Sequence, residues 1–229
     1  MRGVKLLAVL ALALTAAGCG LESPFYLNPP GTPAQPASTG TPIFYLLHTS
    51  QNNEVEFRGY ELYYKLYSLD SDGQALMSAE SNLGSATFDV LISKSYHPLC
   101  TTLHDTSTTS SVIHNAPLIR ILPADIGSTL QFLIDLSPAY QSTLSVPYAG
   151  GIIPLNRFVP DGNGSLKSFD PAQIASTDSD ISAIWNAATI SQHSVDVVLY
   201  ALSYGVKDLT TPIYSNPVYL GYAQINILP

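Results

Sequence analysis

Apolar and polar positions alternate most clearly in "FRGYELYYKLYSLDSDG", where Tyr60, Leu62, Tyr64 and Leu66 interleave with Glu61, Tyr63, Lys65 and Tyr67. A period of two over this stretch predicts a half-buried β-strand with one apolar and one mixed face. The "DSDG" that follows is turn chemistry. "PIFYLLH" is a shorter apolar run, bounded by proline and by "TSQNN", and predicts another strand. Near the other end, "VDVVLYALSYGVKD" and "NPVYLGYAQINIL" are rich in β-branched and aromatic residues. The turn residues of "LTTPIYSNP" lie between them, which predicts a terminal hairpin. The middle of the chain offers "SATFDVLIS", "PLIRIL" and "STLQFLIDL" as further strands, the last with Leu130, Phe132, Ile134 and Leu136 in register. Short helices are expected around Gln74 to Ser81, at "DPAQIAS" and around Asp178 to Ala188. No segment carries a long helical stripe and there is no internal repeat, so the pattern is that of an all-β chain.

The N-terminus follows different rules. Arg2 and Lys5 are the only charges before Glu22, and Leu6 to Leu14 is an uninterrupted run of Leu, Ala and Val. A basic start, a short apolar stretch and a small-residue exit form the layout of a secretory signal peptide. Read generously from Val4 to Ala17, the apolar stretch is too short for the roughly 20 residues a membrane-spanning helix needs. The run closes with Thr15-Ala16-Ala17-Gly18-Cys19. This resembles the lipobox of bacterial lipoproteins, in its relaxed spirochaetal form, because Ala16 stands where Leu is usual. The resemblance implies cleavage after residue 18 and acylation of Cys19, with residues 1–18 as the signal peptide. Two or more acyl chains on one residue, at about 0.8 kcal/mol per buried CH₂, hold a protein at a membrane almost permanently. The membrane-lipid contact expected here is therefore through acylated Cys19. Residues 19–42 form a proline-rich linker, with six prolines between Gly20 and Pro42. Proline favours an extended path, so this segment reads as a stalk without a core.

Removing residues 1–18 leaves 211 residues with 7 basic and 17 acidic side chains, a formal charge of −10. Nucleic acid requires clustered Lys and Arg, so it is excluded as a partner. Electrostatic adhesion to anionic lipid is excluded on the same ground. Charged residues are 11% of the chain, against about 25% in ordinary domains. The 46% hydrophobic content is nevertheless enough to build a core in one large domain. With Cys19 acylated, Cys100 is the remaining cysteine and no internal disulfide can form.

Signatures of chemistry are sparse. The chain has no G-x-S-x-G elbow, P-loop, G-x-G-x-x-G or H-E-x-x-H. The richest cluster is "HPLCTTLHDTSTTSSVIH", in which His97, Cys100, His104 and His114, with Asp105, are residue types that bind zinc. Their spacing matches no familiar paired-ligand motif, and a polar loop with a half-buried thiol is the competing reading. "PDGNGSLKSFD" has oxygen ligands at Asp161, Asn163 and Ser165, but Leu166 stands where a calcium loop requires glycine, so it reads as a turn. No cofactor and no metal are therefore expected. Among the 14 tyrosines, Tyr63 and Tyr67 on the mixed strand face are the candidate binding residues. Cross-strand aromatic pairing is the alternative role for the same two side chains.

The strand "GYELYYKLY" together with the terminal "YALSYG" and "SNPVYLG" resembles a fibronectin type III-like domain. With the lipobox and proline-rich leader, the whole resembles uncharacterised spirochaetal lipoproteins over roughly residues 1–70 and 193–228. The resemblance implies an immunoglobulin/fibronectin type III-like sandwich over residues 43–229. A large insertion, about residues 75–190, would carry extra strands and short helices, because a plain domain of this kind needs only about 100 residues. The expected role is that of an exported, lipid-anchored envelope protein of the outer membrane or cell surface. It would be non-catalytic, either binding protein or glycan or serving the envelope structurally. The alternative is a metal-binding protein or enzyme centred on His97, Cys100 and His104.

Overall fold

The computed structural model describes residues 26–31, 42–52, 55–81, 83, 86–101, 117–137, 143–146, 151–159, 165–170, 173–175, 177–182 and 194–226. The strands in chain order are β1 (Ile43–His48), β2 (Phe57–Tyr67), β3 (His97–Cys100), β4 (Ile119–Arg120), β5 (Leu130–Asp135) and β6 (Thr143–Val146). They continue with β7 (Gly151–Pro154), β8 (Asn156–Val159), β9 (Ser165–Lys167), β10 (Ser194–Lys207), β11 (Thr211–Tyr214) and β12 (Val218–Asn226). Among the described residues three helices are interspersed: α1 (Ser71–Glu80), α2 (Phe88–Ser93) and α3 (Ser179–Ser182).

All the strand pairs are antiparallel, and they form two sheets. The smaller runs β1-β5-β6-β7, and the larger runs β11-β10-β2-β3-β8-β9, with β12 also on β10 and β4 also on β2. The all-β expectation holds. The terminal hairpin is present too, but its return arm is broken. β11 pairs the end of β10 (Tyr204 opposite Tyr214), and β12 pairs its beginning (Val195 opposite Ile225). Ser215, Asn216 and Pro217 interrupt the arm, and a proline there removes a ladder hydrogen bond.

The inner face of the large sheet packs on the small sheet. Tyr60, Leu62, Tyr64 and Leu66 of β2 and Val195, Val197, Leu199 and Ala201 of β10 meet Phe44, Leu46, Phe132 and Ile134 there, nearly all of them fully buried. The outer face is also covered. Tyr63, Tyr67, Val198, Tyr200 and Leu202 pack beneath Met77 of α1 and Leu91 of α2. The mixed face predicted for β2 is therefore an interior one. Alternation in β2 separates two cores rather than core from water. Gly59, at φ +150°, lets β2 approach β4 so closely that a Cβ would sit 2.0 Å from the Ile119 carbonyl oxygen.

Three local expectations are corrected. "DSDG" is not a free turn: Asp70 caps α1, its Oδ1 accepting from the Gly73 N–H at 2.7 Å, and the helix starts at Ser71. "SATFDVLIS" forms α2 instead of a strand, because Leu91 on one helical face finds a pocket against the sheet while Val90 and Ile92 stay exposed. Packed structure begins before residue 42, inside the expected stalk. Leu27 is 1% exposed in the inner core, Gly31 pairs with Leu47, and Asn28 is tied to Asn52 and Ser203. Residues 26–31 thus belong to the domain that was expected to start at residue 43. Cys19 and the leader lie outside the described residues, and so does "PDGNG"; the strands that flank it, β8 and β9, pair with Val159 opposite Ser165. No helix among the described residues is long and apolar enough to cross a membrane.

Candidate functional site

A groove of about 460 Å³ lies at the edge of the large sheet, where β11 gives way to the Ser215–Pro217 interruption. Three separate segments build it. β11 and its exit supply Ile213, Tyr214 and Asn216, the start of α2 supplies Thr87, Phe88 and Asp89, and the N-terminal segment supplies Tyr26 over Leu27. Leu27 is locked in the core and fixes where Tyr26 emerges, 53% exposed. Phe88 and Tyr214 stack face to face, with ring centroids 4.0 Å apart and planes within 8°. Phe88 also meets Tyr63 edge-on at 5.6 Å, and Tyr204 backs Tyr214 at 5.4 Å. The aromatic wall is therefore held rigidly from behind by the outer core. Burial, and then the neighbouring Glu61 carboxylate, push the Tyr214 hydroxyl well above its usual value, so it stays protonated as a donor.

The residues singled out from sequence lie elsewhere. Tyr63 and Tyr67 are 5% and 1% exposed, which corrects their placement on an open binding face. Tyr63 stands opposite Tyr200 across the β2–β10 ladder. The Tyr67 hydroxyl donates to Glu80 Oε2 at 2.6 Å and meets the Tyr96 hydroxyl at 2.9 Å. Lys65 and Lys94 reach the same Glu80 carboxylate at 2.7 and 3.3 Å. Burial would raise the Glu80 carboxyl, but the hydrogen bonds from Lys65 and Tyr67 outweigh it and hold the group below its usual range. This network ties α1 to β2. It is an internal brace.

The histidine–cysteine cluster is divided by strand geometry. His97 and Cys100 both lie on β3, an odd number of residues apart, so their side chains leave opposite faces. His97 stands beside the Tyr64 ring on the inner side, centroids 6.0 Å apart. Cys100 is fully buried, and burial together with Glu61 pushes its thiol up to about 12, which keeps it protonated and unreactive at neutral pH. His104, Asp105 and His114 lie outside the described residues. Among the described residues no group of three or more His, Cys, Asp or Glu is placed to hold a metal ion.

One further polar cluster lies inside. Arg157 on β8 is 0% exposed, and it donates to Asp180 Oδ2 at 2.7 Å, Asp178 Oδ2 at 2.9 Å and the Ser168 carbonyl at 3.1 Å. Lys167 also pairs with Asp178, and the Tyr64 hydroxyl donates to Asp180 at 2.7 Å. The fork of the guanidinium matches two carboxylates at once, which is why arginine stands here. The cluster fastens α3 to the inner core.

Sequence reading could not assemble the groove, because Tyr26, Phe88 and Tyr214 come from three distant stretches. The local signal available was the aromatic pair Phe25-Tyr26 inside an otherwise small and proline-rich leader. No family model matches the chain, and no curated protein or solved structure is significantly similar to it.

Proposed function

We propose that the chain is an exported lipoprotein of a bacterial envelope. Acyl chains on Cys19 hold it to a membrane, and its sandwich domain serves binding rather than a reaction. A fibronectin type III-like ancestry for that domain is part of the same reading, supported by the two-sheet packing of β2 and β10 over the small sheet.

The observation that carries the proposal is the leader ending in Thr15-Ala16-Ala17-Gly18-Cys19. The structure adds a dimension to it. Leu27 is anchored in the core and fixes Tyr26 beside it, so seven chain steps join the tether at Cys19 to the domain at Tyr26. Fully extended, these span at most about 25 Å. The linker is a short leash rather than a tall stalk, and it leaves the domain beside the groove. A domain held this way presents that groove towards the membrane-proximal layer of the envelope.

Mass spectrometry of the processed chain tests the reading. A polypeptide beginning at Cys19 and bearing a diacylglyceryl mass is expected, with the label lost in Cys19→Ser. An unmodified sulfur, or a leader still attached, overturns it. Protease shaving of intact cells then separates surface exposure, which is the expected outcome, from a face turned towards the periplasm.

A further inference from the structure

The aromatic groove has the chemistry of a carbohydrate site. We propose that it binds an uncharged oligosaccharide, with Tyr26 offering ring surface beside the Phe88–Tyr214 stack, and Asp89 and Asn216 taking sugar hydroxyls. This deepens the binding role proposed above and rests on it.

The argument starts from the mixture of surfaces. A pyranose ring has a flat C–H face and an equatorial rim of hydroxyls, so its recognition needs aromatic surface and short polar side chains together. Both are present here. Tyr26 is more than half exposed, and the Phe88–Tyr214 stack borders the same groove. Thr87, Asp89 and Asn216 border the same space with a hydroxyl, a carboxylate and an amide. A carboxylate and an amide each take two hydrogen bonds in fixed directions, which suits vicinal hydroxyls. A purely apolar ligand would leave those groups desolvated at a cost.

Charge narrows the class. Among the described residues no lysine or arginine lines the groove, and the chain carries a formal charge of −8 before processing. An anionic ligand would meet Asp89 and an acidic surface with no cation to receive it. A basic peptide could pair with Asp89, but that is a single exposed carboxylate, worth little by itself. A groove of about 460 Å³ accommodates a short oligosaccharide rather than a folded partner. The rigidity of the wall also favours a ligand with few internal degrees of freedom, because Tyr63 and Tyr204 already hold Phe88 and Tyr214 in place.

The test uses the processed, acylated chain in detergent micelles against an array of uncharged oligosaccharides of the cello, malto, xylo and chito series. Binding is then titrated by calorimetry, with a lysine-rich peptide as the second arm. The expected result is saturable binding of at least one saccharide series, weakened about tenfold by Tyr26→Ala and by Asp89→Ala, since one lost aromatic or charged contact is worth about that much. Both positions are exposed, so the variants should melt with the parent. The proposal is overturned if no saccharide binds up to about 10 mM, a level at which even weak sites fill. It is equally overturned if both variants bind as the parent does, or if the peptide binds while saccharides do not. The acylation measurement on Cys19 is independent of all these outcomes, so a failed saccharide titration leaves the lipoprotein reading standing.

Discussion

The two faces of the large sheet are both buried, yet they are built from different materials. The inner face is aliphatic and phenylalanine-rich, and its charged cluster is the drier one: Arg157 and its two aspartates have side chains at most 2% exposed, and Lys167 reaches Asp178 from a side chain 29% exposed. The outer face is a tyrosine layer under two short helices, and its charged cluster is partly wet, with Lys65 and Lys94 side chains 15% and 35% exposed around Glu80. Tyrosine suits the second setting because its ring buries area while its hydroxyl finds a partner near the surface. The Tyr67 hydroxyl goes to Glu80, and that of Tyr200 to the Glu80 carbonyl at 2.8 Å. The lesson concerns the abundance of tyrosine. Much of it is consumed in holding thin helices to a sheet, and where that layer ends, at Phe88 and Tyr214, an exposed ring, Tyr26, borders the same groove.

If this contrast is right, damage to the drier face should cost more than damage to the wetter one. Arg157→Ala takes the guanidinium from two buried carboxylates, leaving Asp180 with the Tyr64 hydroxyl and Asp178 with Lys167, and is expected to destabilise the fold by about 3 kcal/mol, read as a shift of the denaturant midpoint at constant slope. Leu199→Ala, a cavity between the sheets, should cost about 3 kcal/mol in the same measurement. On the outer face, Tyr67→Phe removes one donor from Glu80 while Lys65 and Lys94 remain, so about 1–2 kcal/mol is expected. A loss equal to that of Arg157→Ala would erase the distinction between the two faces.

Acid provides a finer probe of the inner core. His48 donates to or accepts from the Tyr60 hydroxyl at 2.6 Å through Nδ1 and lies 3.1 Å from the Ile126 carbonyl through Nε2. Burial holds both His48 and His97 below their usual value of 6.5. The unfolded chain then binds more protons than the folded one as the medium acidifies. Stability is present above about pH 6.5 and is lost as pH falls through the lowered folded values. Thermal melting followed from about pH 7 to pH 5 should decline, and His48→Gln should flatten that decline. The smallest effect is expected at the groove: Tyr26→Ala should leave stability within about 0.5 kcal/mol of the parent. A larger loss would place Tyr26 among the structural tyrosines.

Sequence periodicity located the central strands well. Tyr60 to Tyr67 and Leu130 to Asp135 are strands because alternation is imposed by the pleat itself and is visible in any short window. It failed at "SATFDVLIS" and at the mixed face of β2 for a shared reason. Whether six residues become strand or helix depends on what they pack against, and here Leu91 finds the outer sheet face. The same packing hides Tyr63 and Tyr67, which alternation alone assigned to an open surface. At the groove the Phe25-Tyr26 pair was the local hint, and the grouping was not legible, because the contributing segments are far apart in the chain.

What the sequence determined alone is therefore local: the signal-like leader, the cysteine that ends it, the acidic balance and the period-two strands. These follow from near-neighbour chemistry, which needs no fold. Only the tertiary structure decided which side of β2 meets water, that His97 and Cys100 leave opposite faces of one strand, and that Tyr26, Phe88 and Tyr214 border one groove. Each of these depends on segments far apart in the chain being brought to the same sheet, and burial between them is a property of the assembled layers, not of any stretch of residues.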